Sequence, residues 1–171
     1  MSNNPYRVAV LTASDRASCG VYEDLSGSSI CAILEQAGYP VVERKICPDE
    51  RELLQNQMLA WSQSGGVDLI LTTGGTGLSP RDCMPEATLA IADRLVPGIA
   101  EGIRSHSMTI TPKAMLSRAV SVICGRTLIV NLPGSPKAVR ECLEFLLPVL
   151  THGLETLCGG VVACGAEEAE V

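Results

Sequence analysis

The sequence has few aromatic side chains: it contains one Phe, one Trp and three Tyr among 171 residues. A hydrophobic core must therefore be aliphatic, and binding of nucleic acid by stacking its bases on aromatic side chains is disfavoured. The net charge of −6 also disfavours electrostatic attraction to a nucleic-acid backbone. We therefore expect no nucleic-acid partner.

Long apolar runs and paired cysteines are also missing. No apolar run approaches the roughly 18 residues that a membrane span requires, and the first residues, MSNNPYR, lack the pattern of a secretion signal. The eight cysteines form no CxxC pair and have no zinc spacing. We expect reduced thiols in a cytoplasmic protein that does not contact a membrane.

Segments typical of strands and helices alternate along the chain. Apolar and β-branched residues predict strands over residues 6–12, 40–46, 67–72, 121–124 and 127–131. Apolar residues at helical spacing predict helices near residues 24–38, 49–64, 85–95 and 99–108, and from 136 to about 157. Pro148 is expected to kink or split the last helix. This order indicates an α/β fold with a mainly parallel sheet, in one domain over residues 1–158 with a flexible tail at 159–171.

Polar or glycine-rich stretches follow four of the predicted strands. They are Ser14-Asp15-Arg16, Pro48-Asp49-Glu50, Gly74-Gly75-Thr76-Gly77 with the residues through Asp82, and Pro133-Gly134-Ser135-Pro136-Lys137. In an open parallel sheet the carboxyl ends of the strands share one edge, where ligands bind. These distant segments are therefore expected to form one pocket that contains aspartates, hydroxyls, cations and backbone N–H groups.

This mixture of groups is typical of a site for a phosphate-bearing substrate and a divalent metal, because carboxylates that hold Mg²⁺ attract phosphate. The glycine stretch matches neither a P-loop nor a dinucleotide fingerprint. Simpler roles remain open for the acidic residues. Asp49 could serve only as a helix N-cap, Asp15 could hold its own turn, and Asp82 could pair with Arg81.

Several motifs, in order, resemble those of the molybdopterin adenylyltransferase (MogA-like) family, which is similar to the G domains of gephyrin and of its plant counterpart. The motifs are LTASDRASCGVYED, ICPDE, LTTGGTGLSPRD, PEAT, VPG, ITPKAMLSRAV and LIVNLPGSPKAV. The match covers roughly residues 6–157, while Cys83-Met84 and the tail depart from the family pattern. The resemblance implies a three-layer α/β fold, commonly a homotrimer, and adenylylation of molybdopterin by Mg-ATP with release of pyrophosphate.

The resemblance also assigns roles to individual residues. It implies that Asp49 and Asp82 are catalytic, and our hypothesis is that they act by holding Mg²⁺. The substrate- and nucleotide-binding residues that we expect are Ser14, Asp15, Gly74, Gly75, Thr76, Gly77, Ser117, Arg118, Pro133, Gly134, Ser135 and Lys137. A downstream molybdenum-insertion protein is an expected partner. The alternative function is a non-catalytic molybdopterin carrier, or a scaffold, with the same fold.

Overall fold

The computed structural model describes residues 4–159. The strands in this part are β1 (Val8–Ala13), β2 (Val41–Cys47), β3 (Leu69–Thr73), β4 (Arg94–Leu95), β5 (Ser121–Cys124) and β6 (Thr127–Leu132). The helices are α1 (Asp15–Ser18), α2 (Leu25–Gln36), α3 (Arg51–Gln63), α4 (Met84–Leu89), α5 (Pro97–Met108) and α6 (Pro136–Leu157), with a 3₁₀ helix at Pro112–Leu116. Residue 159 is the only part of the expected tail within the described range, and residues 160–171 lie outside it.

The strands form one six-stranded sheet in the order β2-β1-β3-β6-β5-β4. The first four strands are parallel to one another, and β5 pairs antiparallel with both β6 and β4. The expected mainly parallel sheet is therefore confirmed, with β2 at one edge and β5–β6 as an antiparallel hairpin. The carboxyl ends of β2, β1, β3 and β6 all lie at the same edge of the sheet.

Helices cover both faces of the sheet, which confirms the three layers. Alternate residues of the central strands point to opposite faces, so that Val8 and Val10 join one buried cluster while Ala9 and Leu11 join the other. The first cluster also contains buried side chains of α2, α5 and α6, and the second contains those of α3 and α4. None of the helices in residues 4–159 combines the length and apolar character needed to cross a bilayer.

The helix predicted over residues 85–95 is shorter than expected, because α4 ends at Leu89. The following residues pair with β5: the Asp93 amide donates to the Ile123 carbonyl, and the Val96 amide donates to the Ser121 carbonyl. Pairing with β5 thus outweighs the local tendency of these residues to form a helix, and Arg94–Leu95 become an edge strand. The next helix begins at Pro97, since proline is tolerated in the first turn.

Pro148 does not split the last helix, contrary to one of the two outcomes expected for it. Helix α6 continues from Pro136 to Leu157 with Pro148 inside it. Pro148 is exposed, whereas Leu146 and Leu150 on either side are buried against the sheet. The apolar stripe therefore packs without interruption past the missing backbone N–H, and this packing keeps the helix in one piece.

Candidate active site

The loops that follow the four parallel strands are linked by hydrogen bonds. The Ser14 amide, after β1, donates to the carbonyl of Cys47 at the end of β2, at 2.9 Å. The hydroxyl of Thr73, at the end of β3, donates to the Pro133 carbonyl at 2.7 Å, and Ser26 donates to the Gly134 carbonyl at 2.6 Å. The four predicted stretches are therefore brought together at one edge of the sheet.

Glycines allow the loops after β1, β3 and β6 to approach one another. Gly74 and Gly75 have φ values of +86° and +65°, a region that other residues rarely adopt. A Cβ atom on Gly74 would lie 2.3 Å from the Ala13 carbonyl oxygen, and one on Gly134 would lie 3.4 Å from the Cα of Gly74. The glycines thus serve both the turn and the close contact between the loops.

Asp15 and Asp49 bind each other's backbone. The Asp15 amide donates to Oδ2 of Asp49 at 2.9 Å, and the Asp49 amide donates to Oδ1 of Asp15 at 3.0 Å. Asp49 is not the N-cap of α3, because Glu50 occupies that position without a side-chain capping bond. The open possibility of a capping role for Asp49 is therefore wrong, and its carboxylate lies at the loop edge instead.

The carboxylates of Asp49 and Asp82 lie next to the glycine loop. A Cβ on Gly75 would lie 3.3 Å from Oδ1 of Asp49, and a Cβ on Gly77 would lie 2.8 Å from Oδ2 of Asp82. Burial raises the pKa of the Asp49 carboxyl, and the nearby Asp15 and Asp82 carboxylates raise it further. The site thus concentrates negative charge that a bound cation would relieve.

Arg81 is paired with residues other than its neighbour Asp82. Its guanidinium donates to both carboxylate oxygens of Asp15, at 3.1 and 2.9 Å, and to Glu50 at 2.9 Å. These bonds from Arg81, with the Asp49 amide, lower the pKa of the Asp15 carboxyl. Asp82 instead accepts the Ser79 amide at 2.8 Å, so the possibility that it only pairs with Arg81 is wrong.

Arg118 is bound to the back of the glycine loop. Its Nε donates to the Gly77 carbonyl, its Nη2 to the Asp82 carbonyl and its Nη1 to Oε1 of Glu86. The neighbouring Ser117 accepts a bond from Arg104 on its carbonyl at 3.0 Å. Arg118 is therefore a support of the glycine loop rather than a solvated surface charge.

The N-terminus of α6 lies at the same edge of the sheet. Ser135 caps this helix by accepting the Ala138 amide at 3.2 Å. The Lys137 side chain is 83% exposed, and its nearest carboxylate, on Glu141, is 3.8 Å away. Lys137 is thus a cation that can turn toward an anionic ligand at little cost.

Two cavities flank the loops that carry the predicted glycines. The larger one has a volume of about 290 Å³ and lies between the glycine loop, α5 and the start of α6, with Thr76, Gly77, Ser117 and Pro133 in its wall. The smaller one, of about 110 Å³, contains Ser14, Gly74 and Gly134. Most of the predicted binding residues therefore line one of two adjacent recesses.

Sequence reasoning missed several polar residues of these cavities. Ser107 and Arg104 of α5 line the larger cavity, while Tyr22, Asp24 and Ser26 line the smaller one. On α5 a stripe of small or polar residues at positions 100, 104 and 107 could have indicated an open helix face. No comparable spacing marks the smaller cavity, which depends on α2 packing beside β1.

The carboxylates at this edge of the sheet are not arranged to enclose a metal ion by themselves. Within residues 4–159 no group of three or more Asp, Glu, His or Cys side chains is arranged to hold one. Mg²⁺ is nevertheless commonly held by one or two carboxylates together with substrate phosphates and water. The two acidic residues beside the glycine loop, Asp49 and Asp82, fit this second kind of site.

Comparisons with known proteins agree with this architecture. The chain is 42% identical over 154 residues to the molybdopterin adenylyltransferase of Helicobacter pylori strain J99, covering 89% of this chain and 88% of the relative. It is 43% identical over 157 residues to gephyrin of Dictyostelium discoideum, covering 86% of this chain but 22% of gephyrin. The crystal structure of the molybdopterin biosynthesis enzyme MoaB of Thermus thermophilus superimposes with a TM-score of 0.85 at 46% identity, covering 90% of this chain and 97% of that one.

A family match covers most of the described residues. Residues 9–152 match the family described as "Probable molybdopterin binding domain". This range runs from β1 into α6 and includes all four loops at the carboxyl edge of the parallel strands. Together with the relatives above, it confirms the resemblance drawn from the sequence motifs. The chain therefore belongs to the molybdopterin-binding domain family.

Proposed function

We propose that the chain is a molybdopterin adenylyltransferase that acts in molybdenum cofactor biosynthesis. Two observations support this proposal. A relative at 42% identity is named molybdopterin adenylyltransferase, and Asp49 and Asp82 lie beside a glycine loop. The observation that carries the proposal is that these two carboxylates flank a loop which itself lies between two cavities. One edge of the sheet can therefore hold two substrates and the acidic groups needed between them.

The two cavities suit two ligands that meet at their phosphates. Each cavity reaches the glycine loop, through Gly77 in the larger one and Gly74 in the smaller one. A pterin and an adenine that occupied separate recesses would direct their phosphates toward this shared boundary. Backbone N–H groups of a glycine-rich turn and of a helix N-terminus are favourable partners for phosphate oxygens.

The reaction follows from the chemistry of the two substrates. A terminal phosphate oxygen of molybdopterin attacks the α-phosphorus of ATP, and a new P–O bond forms. The bond from that phosphorus to the bridging α,β-oxygen breaks, and its electron pair leaves with pyrophosphate. The second pKa of a phosphate monoester is about 6, so the nucleophile is largely a dianion at pH 7. A strong general base is therefore unnecessary.

The protein's main task is to bring two anions together. Asp49 and Asp82 would hold Mg²⁺, which would supply neutralisation of phosphate charge. Lys137 contributes a positive charge that is free to reach the phosphates. The carbonyl oxygens of Pro133, Gly134, Gly77 and Asp82 all accept protein hydrogen bonds, which leaves fewer bare oxygens to repel an anion.

We also infer a homotrimer in the cytoplasm that delivers its product to a molybdenum-insertion protein. Leu89 and Leu95 are 44% and 63% exposed beside a groove of about 190 Å³, and a second copy of the chain would cover them. The buried thiols of Cys47, Cys124 and Cys142 suit a reducing compartment. Sedimentation analysis of the purified chain tests the assembly.

Pyrophosphate release from Mg-ATP, measured with and without molybdopterin, tests the enzymatic proposal. We expect release that depends on molybdopterin and on Mg²⁺, and that falls at least about 100-fold in Asp82→Asn. The matched control is Asp68→Asn, since Asp68 lies at the opposite end of β3 and pairs with Arg7 there. Tight binding of molybdopterin with no release of pyrophosphate would identify a carrier instead.

A further inference from the structure

Arg118 joins both ends of the loop that carries Asp82. Its backbone amide donates to the Thr76 carbonyl at 2.9 Å. Its side chain donates to the Gly77 carbonyl from Nε and to the Asp82 carbonyl from Nη2, each at 2.6 Å. One planar guanidinium therefore closes the segment from Gly77 to Asp82 into a ring.

Glu86 anchors this guanidinium from the first turn of α4. Its Oε1 accepts a bond from Nη1 of Arg118, while its Oε2 is buried and has no hydrogen-bond partner among residues 4–159. This ion pair satisfies Oε1, in a site where the Glu86 and Arg118 side chains are 42% and 33% exposed. Without it, Arg118 would lose one of the three acceptors that hold its guanidinium in place.

The ring determines where the Asp82 carboxylate lies. The Asp82 amide donates to the Ser79 carbonyl at 2.9 Å, and the Ser79 amide donates to Oδ2 of Asp82 at 2.8 Å. With its carbonyl held by Arg118, Asp82 is fixed through its amide, its carbonyl and one carboxylate oxygen. A Cβ on Gly77 would lie 2.8 Å from that oxygen, so the carboxylate rests directly against the glycine.

We propose that Glu86 and Arg118 are positioning residues that fix the Asp82 loop in its catalytic geometry. The proposal deepens the proposed adenylyl transfer and rests on it for its kinetic part. Glu86 acts only through Arg118, and Arg118 acts through the carbonyls of Gly77 and Asp82 rather than through its charge on a phosphate. Misplacement of a reacting or metal-holding group by about 1 Å lowers a rate by up to about 100-fold.

Amide hydrogen exchange measured by NMR tests the positioning pair without substrates. In Glu86→Ala we expect the Ser79 and Asp82 amides to exchange about tenfold faster than in the unmodified chain, because the loop opens locally. Glu86→Gln keeps an acceptor for Arg118 and should restore part of the protection. Asp68→Asn, which removes an ion pair at the opposite end of β3, should leave both amides unchanged.

Steady-state kinetics separate positioning from contact with the substrate. We expect Glu86→Ala and Arg118→Lys to lower kcat about 10- to 100-fold and to change the KM for ATP by less than about threefold. Lysine keeps the positive charge but cannot bind two carbonyls and Glu86 together.

Two results would overturn the proposal. One is unchanged exchange at Ser79 and Asp82 in Glu86→Ala. The other is an Arg118→Lys variant with normal kcat and a raised KM for ATP, which would make Arg118 a substrate contact. If the unmodified chain releases no pyrophosphate, the proposed function fails, and the exchange measurement still decides whether the pair fixes the loop.

Discussion

Asp15 and Asp49 each accept the other's backbone amide, at 2.9 and 3.0 Å, and so lock the loops after β1 and β2 together. Asp15 also binds Arg81, which belongs to the loop after β3. Three loops that are distant in sequence thus meet at a single carboxylate. The position of Asp49 therefore depends on its hydrogen bonds with Asp15 more than on helix α3, which begins two residues later.

Two replacements of Asp15 distinguish the contribution of its hydrogen bonds from that of its negative charge. Asp15→Ala removes the acceptor for the Asp49 amide and the two bonds from Arg81, and we expect a loss of kcat of about tenfold or more. Asp15→Asn keeps that acceptor and should retain more activity. Pyrophosphate release measures both, and equal losses in the two variants would indicate that the charge, not the hydrogen bond, matters.

Asp49 should lower the stability of the free protein at neutral pH. Because its folded pKa is raised, the ionised carboxylate opposes folding above that pKa, and this cost disappears as the pH falls through it. We expect Asp49→Asn to raise the urea midpoint at pH 7 and to have a smaller effect at pH 4. An Asp49→Asn variant that is less stable at pH 7 would contradict this assignment.

The same raised pKa predicts the acid limb of the activity profile. Asp49 must be ionised to hold a cation, so at limiting Mg²⁺ the activity should decline at a pH above the ordinary range for an aspartate. Saturating Mg²⁺ should shift this decline to lower pH, since the cation favours the ionised carboxylate. Rate measurements between pH 4 and 8 at two Mg²⁺ concentrations provide the comparison.

Gly74 should tolerate no side chain. In Gly74→Ala the Cβ would lie 2.3 Å from a backbone oxygen, in addition to the strain of φ +86°. Gly65→Ala is the matched control, since Gly65 has φ +67° and no atom near its absent Cβ. We expect the control to lose about 1–2 kcal/mol of unfolding free energy and Gly74→Ala to lose clearly more, as measured by urea unfolding.

Lys137 should affect substrate affinity more than stability. Lys137→Gln removes an exposed charge whose carboxylate partner is 3.8 Å away, so the unfolding free energy should change by less than about 0.5 kcal/mol. The KM for ATP should rise several-fold, and the salt dependence of that KM should weaken. Lys45→Gln is the control for loss of a lysine that is engaged elsewhere, since Lys45 on β2 donates to Gln57 of α3.

The central strands and the loops that follow them could be predicted because their signals are local. Val8 to Leu11 form an apolar run that only a doubly covered strand can bury, and the strand order then sends Asp15, Asp49 and Gly74 to one edge. The extent of α4 could not be predicted in this way. Arg94 and Leu95 adopt an extended conformation only because β5 offers them a partner.

The hydrogen-bond partners of the charged site residues also could not be predicted from the sequence. Arg81 is adjacent to Asp82 in the chain but binds Asp15 and Glu50. Arg118 and Glu86 are 32 positions apart, and their contact exists only once α4 is packed beneath the glycine loop. Residue type and spacing could identify these residues as candidates. Which of them contact a ligand and which support the loop could be proposed only from their contacts in the fold.

The length of α6 separates the two ends of the molecule. Its 22 residues span about 33 Å, from Pro136 at the glycine edge to Leu157, and the Cys158 carbonyl then accepts a bond from Arg126 at the far end of the hairpin. A fluorophore or surface linker joined at residue 159 therefore starts at the edge of the sheet opposite the one that carries the cavities. Immobilising the chain through that point leaves the ligand-binding edge facing solution, which makes it the preferred attachment for titrations on a sensor surface.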